Sequence, residues 1–197
     1  MTSRNPAIQD EAGGNLRVLR GGTVEALHAH EPALTLWRFL AVVLTALLLG
    51  TTFAHVLEMP AKLQVDAALW MTLQHTLYRA FGTIGAVVEV GALASVLVLS
   101  VLVRQHGRAL WWTLFAAACL LVAFFVVWLV FTSAVNAETA RWTASSIPAD
   151  WMQWRTRWEF SHALRFALHL VAFCSLVVSL LVDATPKSHS EAAAALT

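Results

Sequence analysis

Four long apolar runs constrain the fold of this chain more than any other feature. Each is close to the roughly 20 residues that a helix needs to cross a hydrocarbon layer of about 30 Å. The runs cover residues 34–56, 77–103, 110–135 and 160–182. None of them alternates apolar and polar residues as the strands of a membrane barrel do. The sequence therefore predicts an all-α integral membrane protein built as a four-helix bundle.

The polar segments between and around these runs set the predicted organisation. Residues 1–32 and 184–197 are predicted to be cytoplasmic tails on either side of a transmembrane domain, 33–183. The first loop, about 57–76, is predicted to add a short amphipathic segment, and the third, about 136–159, is rich in Trp and charge. Lys and Arg are more frequent on the side of the termini. That bias predicts a bacterial inner-membrane protein with both termini cytoplasmic and these two loops outside.

Composition excludes several classes of protein. Charged residues make up 13% of the chain and hydrophobic residues 58%, whereas a soluble domain has about 25% charged residues. A net charge of +1 without a dense basic run provides no electrostatic footprint for nucleic acid. The expected surroundings are therefore membrane lipid, and nucleic acid is not an expected partner. Self-association into a homo-oligomer is left open.

Ionisable residues on the fourth run mark a candidate site, because charges inside a bilayer are costly. Glu159, His162, Arg165 and His169 recur every three or four residues, so they share one helical face. We expect that face to point into the bundle. The structural alternative is an ion-pair network between Glu159 and the neighbouring arginines that locks the start of the helix.

The other helices supply polar groups at matching depths. His55 and Glu58 end the first run, level with His162, and Glu89 lies near mid-membrane, level with His169. The sequence predicts that these groups converge on one polar cavity near the outer face. For Glu89, the alternatives are a basic partner or a neutral, protonated carboxyl. Glycines on the second run (Gly82, Gly85 and Gly91) are predicted to permit close helix contact.

The same residues are chemically suited to a metal. Glu159 and His162 form a Glu-x-x-His pair of the kind that carboxylate bundles use for iron. The tentative ligand set is His55, Glu58, Glu159, His162 and His169. Iron, copper or zinc would suit such donors, and paired histidines could instead hold a b-type haem. The sequence does not decide the cofactor.

The segment Arg-x-Arg-Trp-Glu-x-x-His-x-x-Arg, from Arg155 to Arg165, resembles the anthrone-oxygenase-like family of small four-helix membrane proteins. Phe53-Ala54-His55, Glu89 and Asn136 strengthen the resemblance, which covers residues 34–182. Characterised relatives oxidise anthrones to anthraquinones with dioxygen, and no agreed cofactor is implied. Carried over, the resemblance implies these site residues: His55, Asn136, Arg157, Trp158, Glu159, His162 and Arg165.

The resemblance implies an oxidase or oxygenase that acts with dioxygen on a lipophilic small molecule, for which an aromatic compound is one candidate. His162 or Glu159 would remove a proton, and Arg157 or Arg165 would stabilise the oxyanion. The catalytic set is completed by His55 and Glu89, and a pocket of Asn136, Trp142 and Trp158 would hold a flat ligand. Two alternatives stay open. One is a b-type haem redox carrier with His55 and His162 or His169 as ligands, and the other is a non-catalytic membrane subunit or small transporter.

Overall fold

The structure is a computed structural model that describes the backbone of residues 6–143 and 145–184 and the side chains of 31–143 and 145–184. The chain divides into two compact units, residues 1–36 and 37–197. The bundle and the candidate site belong to the second unit. Most of the predicted C-terminal tail lies outside the described residues.

The described residues are helical, with no strand. The helices are α1 (Pro6–Lys62), α2 (Ala67–His75), α3 (Leu77–Leu102), α4 (Gly107–Leu121), a π-helical segment (Val122–Thr132), α5 (Ser133–Thr139) and α6 (Trp151–Ala184). Four stretches are long and apolar enough to cross a membrane: 31–62, 77–102, 107–139 and 151–184. The predicted all-helical fold with four long apolar helices is confirmed. A short helix also forms in the first loop, where the Asp66 carboxylate accepts from the Leu69 N–H and begins α2.

The helix ends differ from the predicted ones. α1 already includes Pro6, inside the predicted tail, so the described backbone of residues 6–32 is helical. At its other end α1 continues through Pro60 to Lys62. A proline so close to a helix end removes at most one hydrogen bond. The predicted loop 136–159 shrinks to 140–150, since α5 extends to Thr139 and α6 begins at Trp151.

Aromatic packing accounts for the early start of α6. Trp70 of α2 packs against Trp142, with ring centroids 6.1 Å apart, and against Trp151, 6.3 Å away. Trp158 belongs to the same buried cluster. The third loop and α2 therefore meet at this end of the bundle, which we call the α2 end. Burial of large aromatic surface stabilises a helical segment that looks polar in sequence.

Small residues let α4 and α6 approach closely. Thr113 and Ser179 are buried and their hydroxyl oxygens lie 2.9 Å apart, and Ser179 also donates to the carbonyl of Ala109 at 2.9 Å. Nearer the α2 end, the hydroxyl oxygens of Thr132 and Ser161 are 2.9 Å apart. Such contacts are the usual way in which apolar helices associate. They fix α6 against its neighbour and so set which face of α6 points at α1 and α3.

Candidate functional site

A cavity of about 220 Å³ lies between α1, α3, the π-helical segment and α6, toward the α2 end. The predicted site residues that line it are His55, Glu89, Asn136, Trp158, His162 and Arg165. They come from four helices: His55 from α1, Glu89 from α3, Asn136 from α5, and Trp158, His162 and Arg165 from α6. The structure therefore brings these six predicted residues together at one cavity.

Two stacked imidazoles form one wall of the cavity. The ring centroids of His55 and His162 are 4.1 Å apart and the ring planes are 32° apart. Both side chains are buried, and the Nδ1 atom of each has no hydrogen-bond partner among the described residues. These two nitrogens are also inaccessible to solvent, which leaves Nε2 of each ring as the nitrogen that a ligand in the cavity could reach.

Aromatic side chains surround this histidine pair. The Trp158 ring lies 4.2 Å from the His162 ring and meets His55 edge-on at 5.1 Å, measured between centroids. Tyr78 and Phe81 of α3 lie 5.0 Å and 5.4 Å from His55. The cavity wall near the imidazoles is thus largely aromatic. Asn136 orients the Trp158 ring, because its side-chain oxygen accepts a 3.0 Å hydrogen bond from the indole N–H.

A buried ion pair forms the inner end of the cavity. Arg165 Nη2 donates to Glu89 Oε2 at 2.6 Å, and both side chains are buried. His169 lies behind this pair, with Nε2 3.8 Å from Glu89 Oε1 and Nδ1 3.2 Å from the Thr52 hydroxyl. His169 is fully buried and does not line the cavity. Of the alternatives for Glu89, the basic partner is therefore the one observed.

Lys62 is a buried cation that sequence analysis missed. Its Nζ lies 3.0 Å from Glu159 Oε2 and 3.5 Å from Glu58 Oε2. The same atom lies over the rings of Tyr78 and Trp158, 4.8 Å and 4.7 Å from their centroids. Sequence analysis ended the first helix before Pro60 and so left Lys62 in a loop. The available signal was the i, i+4 spacing of Glu58 and Lys62, which places the two on one helical face.

The lysine explains where two predicted site carboxylates lie. Glu159 is buried against Lys62 and does not line the cavity. Glu58, also outside the cavity, is half-buried and accepts a short hydrogen bond from the Tyr78 hydroxyl. The predicted ion-pair network between Glu159 and the neighbouring arginines is not seen among the described residues; Glu159 pairs instead with Lys62 of α1.

Two other predicted site residues lie away from the cavity. Arg157 is exposed, donates to the carbonyl of Val130 at 2.9 Å and lies over the Phe131 ring. Trp142 is buried in the aromatic cluster of the α2 end, where its N–H donates to Glu138 at 3.3 Å. Arg157 is two residues from Glu159, which is about 200° around a helix, so it cannot share the buried face.

The tentative metal ligands do not form a metal site as they lie. Among the described residues, no three His, Cys, Asp or Glu side chains come close enough to hold an ion. Glu159 and Glu58 are engaged by Lys62, and His169 by Thr52 and Glu89.

Haem does not fit between the paired histidines either. Axial imidazoles approach their metal with ring nitrogens at about 2 Å from opposite faces of the macrocycle. His55 and His162 instead stack on each other at 4.1 Å, which leaves no room for a porphyrin between them.

No family model matches the chain, and no curated protein or solved structure matches it either. The relationship to anthrone-oxygenase-like proteins therefore stays a prediction that rests on the residues quoted for it.

Proposed function

We propose that this protein is an integral membrane oxidase or oxygenase that deprotonates a flat, lipophilic aromatic substrate and lets the resulting anion react with dioxygen. The observation that carries the proposal is the composition of one cavity. It combines a stacked His55–His162 pair, an ion-paired Arg165 and a wall of Trp158 and Tyr78. A base, a cation and stacking surfaces are the groups that such a reaction needs.

Membrane insertion is part of the proposal. Large apolar side chains are exposed on the helices, among them Phe39 at 61%, Val87 at 72% and Trp111 at 74%. A water-facing surface would make such exposure unfavourable, whereas lipid accepts it. We place both termini in the cytoplasm of a bacterial cell, from the distribution of Lys and Arg. The α2 end then faces outward, and the substrate enters from the outer half of the bilayer.

The histidine pair is the proposed base. The sequence left His162 and Glu159 as alternatives, and the burial of Glu159 against Lys62, outside the cavity, favours the histidine. The substrate proton passes to an imidazole nitrogen of His162, and the contact with His55 keeps the ring in place. Arg165 holds the developing oxyanion, and Glu89 orients the guanidinium from behind at 2.6 Å.

The reaction balances without a metal. For an acidic CH₂ group beside a ring, the anion gives electrons to dioxygen, one oxygen atom enters the substrate as C=O, and the other leaves as water. For a hydroquinone, two protons and two electrons pass to dioxygen, and the products are the quinone and hydrogen peroxide. The protein holds the anion and the proton in both cases, and the substrate supplies the electrons.

Oxygen consumption in lipid nanodiscs tests this proposal. The substrates are anthrone and 1,4-dihydroxynaphthalene, and empty nanodiscs give the uncatalysed rate. We expect uptake above that rate with at least one substrate and a loss of at least 100-fold in His162→Gln, since general-base catalysis contributes about 10²–10⁴. His106→Gln is the matched control, because His106 pairs with Asp183 away from the cavity. A folded protein without uptake on either substrate overturns the proposal and favours a non-catalytic subunit.

A further inference from the structure

Two glycines of α3 face the cavity without a packing reason. Tyr78, Gly82, Gly85 and Glu89 follow the i, i+4, i+7, i+11 spacing of one helical face, and all four line the cavity. A Cβ atom at Gly82 or Gly85 would meet no other atom within 4 Å. The close helix contact predicted for these glycines is therefore absent. Of the predicted three, Gly91 does contact a neighbour, with the Leu44 Cδ1 atom 3.4 Å away.

Backbone conformation does not require these glycines either. Neither Gly82 nor Gly85 has a positive φ angle, and both lie inside a regular helix. A glycine in a helix interior is less favourable than an alanine. The space that they leave is part of the cavity, so their effect is to keep it wide beside the histidine pair.

The cavity volume limits what can enter. A cavity of about 150 Å³ holds one benzene ring, and sites for drug-sized ligands measure about 300–1,000 Å³. At about 220 Å³, this cavity has room for one ring with substituents or for two fused rings. A third fused ring would exceed this volume.

The polar groups indicate the chemistry of the ligand. Arg165 and the two imidazoles lie on the cavity wall, and Tyr78 and Trp158 provide stacking surfaces. A hydroxyl group on an aromatic ring satisfies both features, because it donates to an imidazole and its anion pairs with a guanidinium. We infer that the cavity binds hydroxylated aromatics of one or two rings, and that Gly82 and Gly85 set this size limit. The inference rests on the proposed function for the orientation of the hydroxyl group toward the base.

Ligand binding measured by calorimetry in nanodiscs tests the size limit. The probes are phenol, 1-naphthol and 1,8-dihydroxyanthraquinone, none of which needs turnover to bind. We expect saturable binding of 1-naphthol and none of the three-ring probe. In Gly85→Leu, we expect the new side chain to fill the cavity and to weaken the binding of 1-naphthol at least tenfold.

Gly50→Leu is the matched control. Gly50 lies in α1, its Cβ would also meet no atom within 4 Å, and it lines a separate apolar groove with Phe53 and Phe166. The substitution makes the same change in helix propensity and apolar surface as Gly85→Leu, so we expect it to leave the Kd of 1-naphthol unchanged. It also corrects for partitioning of the probes into lipid.

Each outcome bears on one of the two proposals. Three results would overturn the size limit: binding of the three-ring probe as tightly as 1-naphthol, oxygen uptake on anthrone (which also has three fused rings), or an unchanged Kd in Gly85→Leu. If Gly85→Leu does not fold, the size limit is tested with Gly85→Ala and with the comparison of the three probes on the unaltered protein. Binding of 1-naphthol that Gly85→Leu removes, without oxygen uptake on any substrate, supports the size limit and overturns the oxidase. Oxygen uptake without 1-naphthol binding supports the oxidase and overturns the size limit.

Discussion

Replacement of Glu89 by alanine is expected to destabilise the bundle strongly. The change removes the partner of Arg165, whose side chain is 7% exposed and whose Nη2 lies 2.6 Å from the lost carboxylate. His169, whose Nε2 lies 3.8 Å from the other oxygen of the same carboxylate, carries no negative charge and cannot replace it. Loss of one member of a buried ion pair costs about 3–5 kcal/mol, since the remaining charge is left buried without a counter-ion. We expect a loss in this range.

A double-mutant cycle separates the pair from the cost of lost volume. Arg165→Leu alone leaves the Glu89 carboxylate unpaired and should cost a similar amount. The double variant Glu89→Ala/Arg165→Leu leaves no charge unpaired, so its loss should be smaller than the sum of the two single losses by at least about 2 kcal/mol.

The measurement is the free energy of unfolding in mild detergent, from denaturant titration followed by far-ultraviolet circular dichroism. The reasoning about the buried pair is refuted if Glu89→Ala costs less than about 1 kcal/mol, or if the single losses add to within about 0.5 kcal/mol. Either result would mean that water or lipid headgroups reach Arg165. Oxygen uptake is not needed for this test, so it stands apart from the proposed function.

Two further changes probe buried polar groups by the same titration. Thr52→Val should lower the free energy of unfolding by about 1–3 kcal/mol, because it removes the 3.2 Å contact with His169 Nδ1 and leaves that nitrogen unpartnered. Thr45→Val should leave the free energy of unfolding unchanged, since the buried Thr45 hydroxyl has no hydrogen-bond partner among the described residues. Lys62→Met should cost about 3–5 kcal/mol, because Glu159 is 1% exposed and loses its cation at 3.0 Å. Equal losses of unfolding free energy in Thr52→Val and Thr45→Val would contradict the first prediction. A Lys62→Met variant as stable as the unaltered protein would contradict the second.

The sequence predicted well where a pattern is local. Glu159, His162, Arg165 and His169 recur at helical spacing, and all four are buried. The same periodicity, applied to Arg157, would have excluded it from the site, but the resemblance to a known motif grouped it with its neighbours. Motif membership carries no information about which way a side chain points.

Predictions failed where a contact depends on how two helices pack against each other. Lys62 pairs with Glu159 across α1 and α6, and no spacing along one helix encodes that contact. The helix ends at Pro60 and Trp151 were misjudged for a related reason: packing of the α2 end outweighs the polar composition of those segments.

By itself, the sequence determined an all-helical chain with four long apolar helices and the polar face of the last one. Run length and the 3.6-residue period are local properties that any backbone with this sequence must express. Only the tertiary structure decided that His55 stacks on His162, that Lys62 holds Glu159, and that the cavity is about 220 Å³. Those features depend on the rotation and depth of each helix relative to the others, which are set by packing among all four at once.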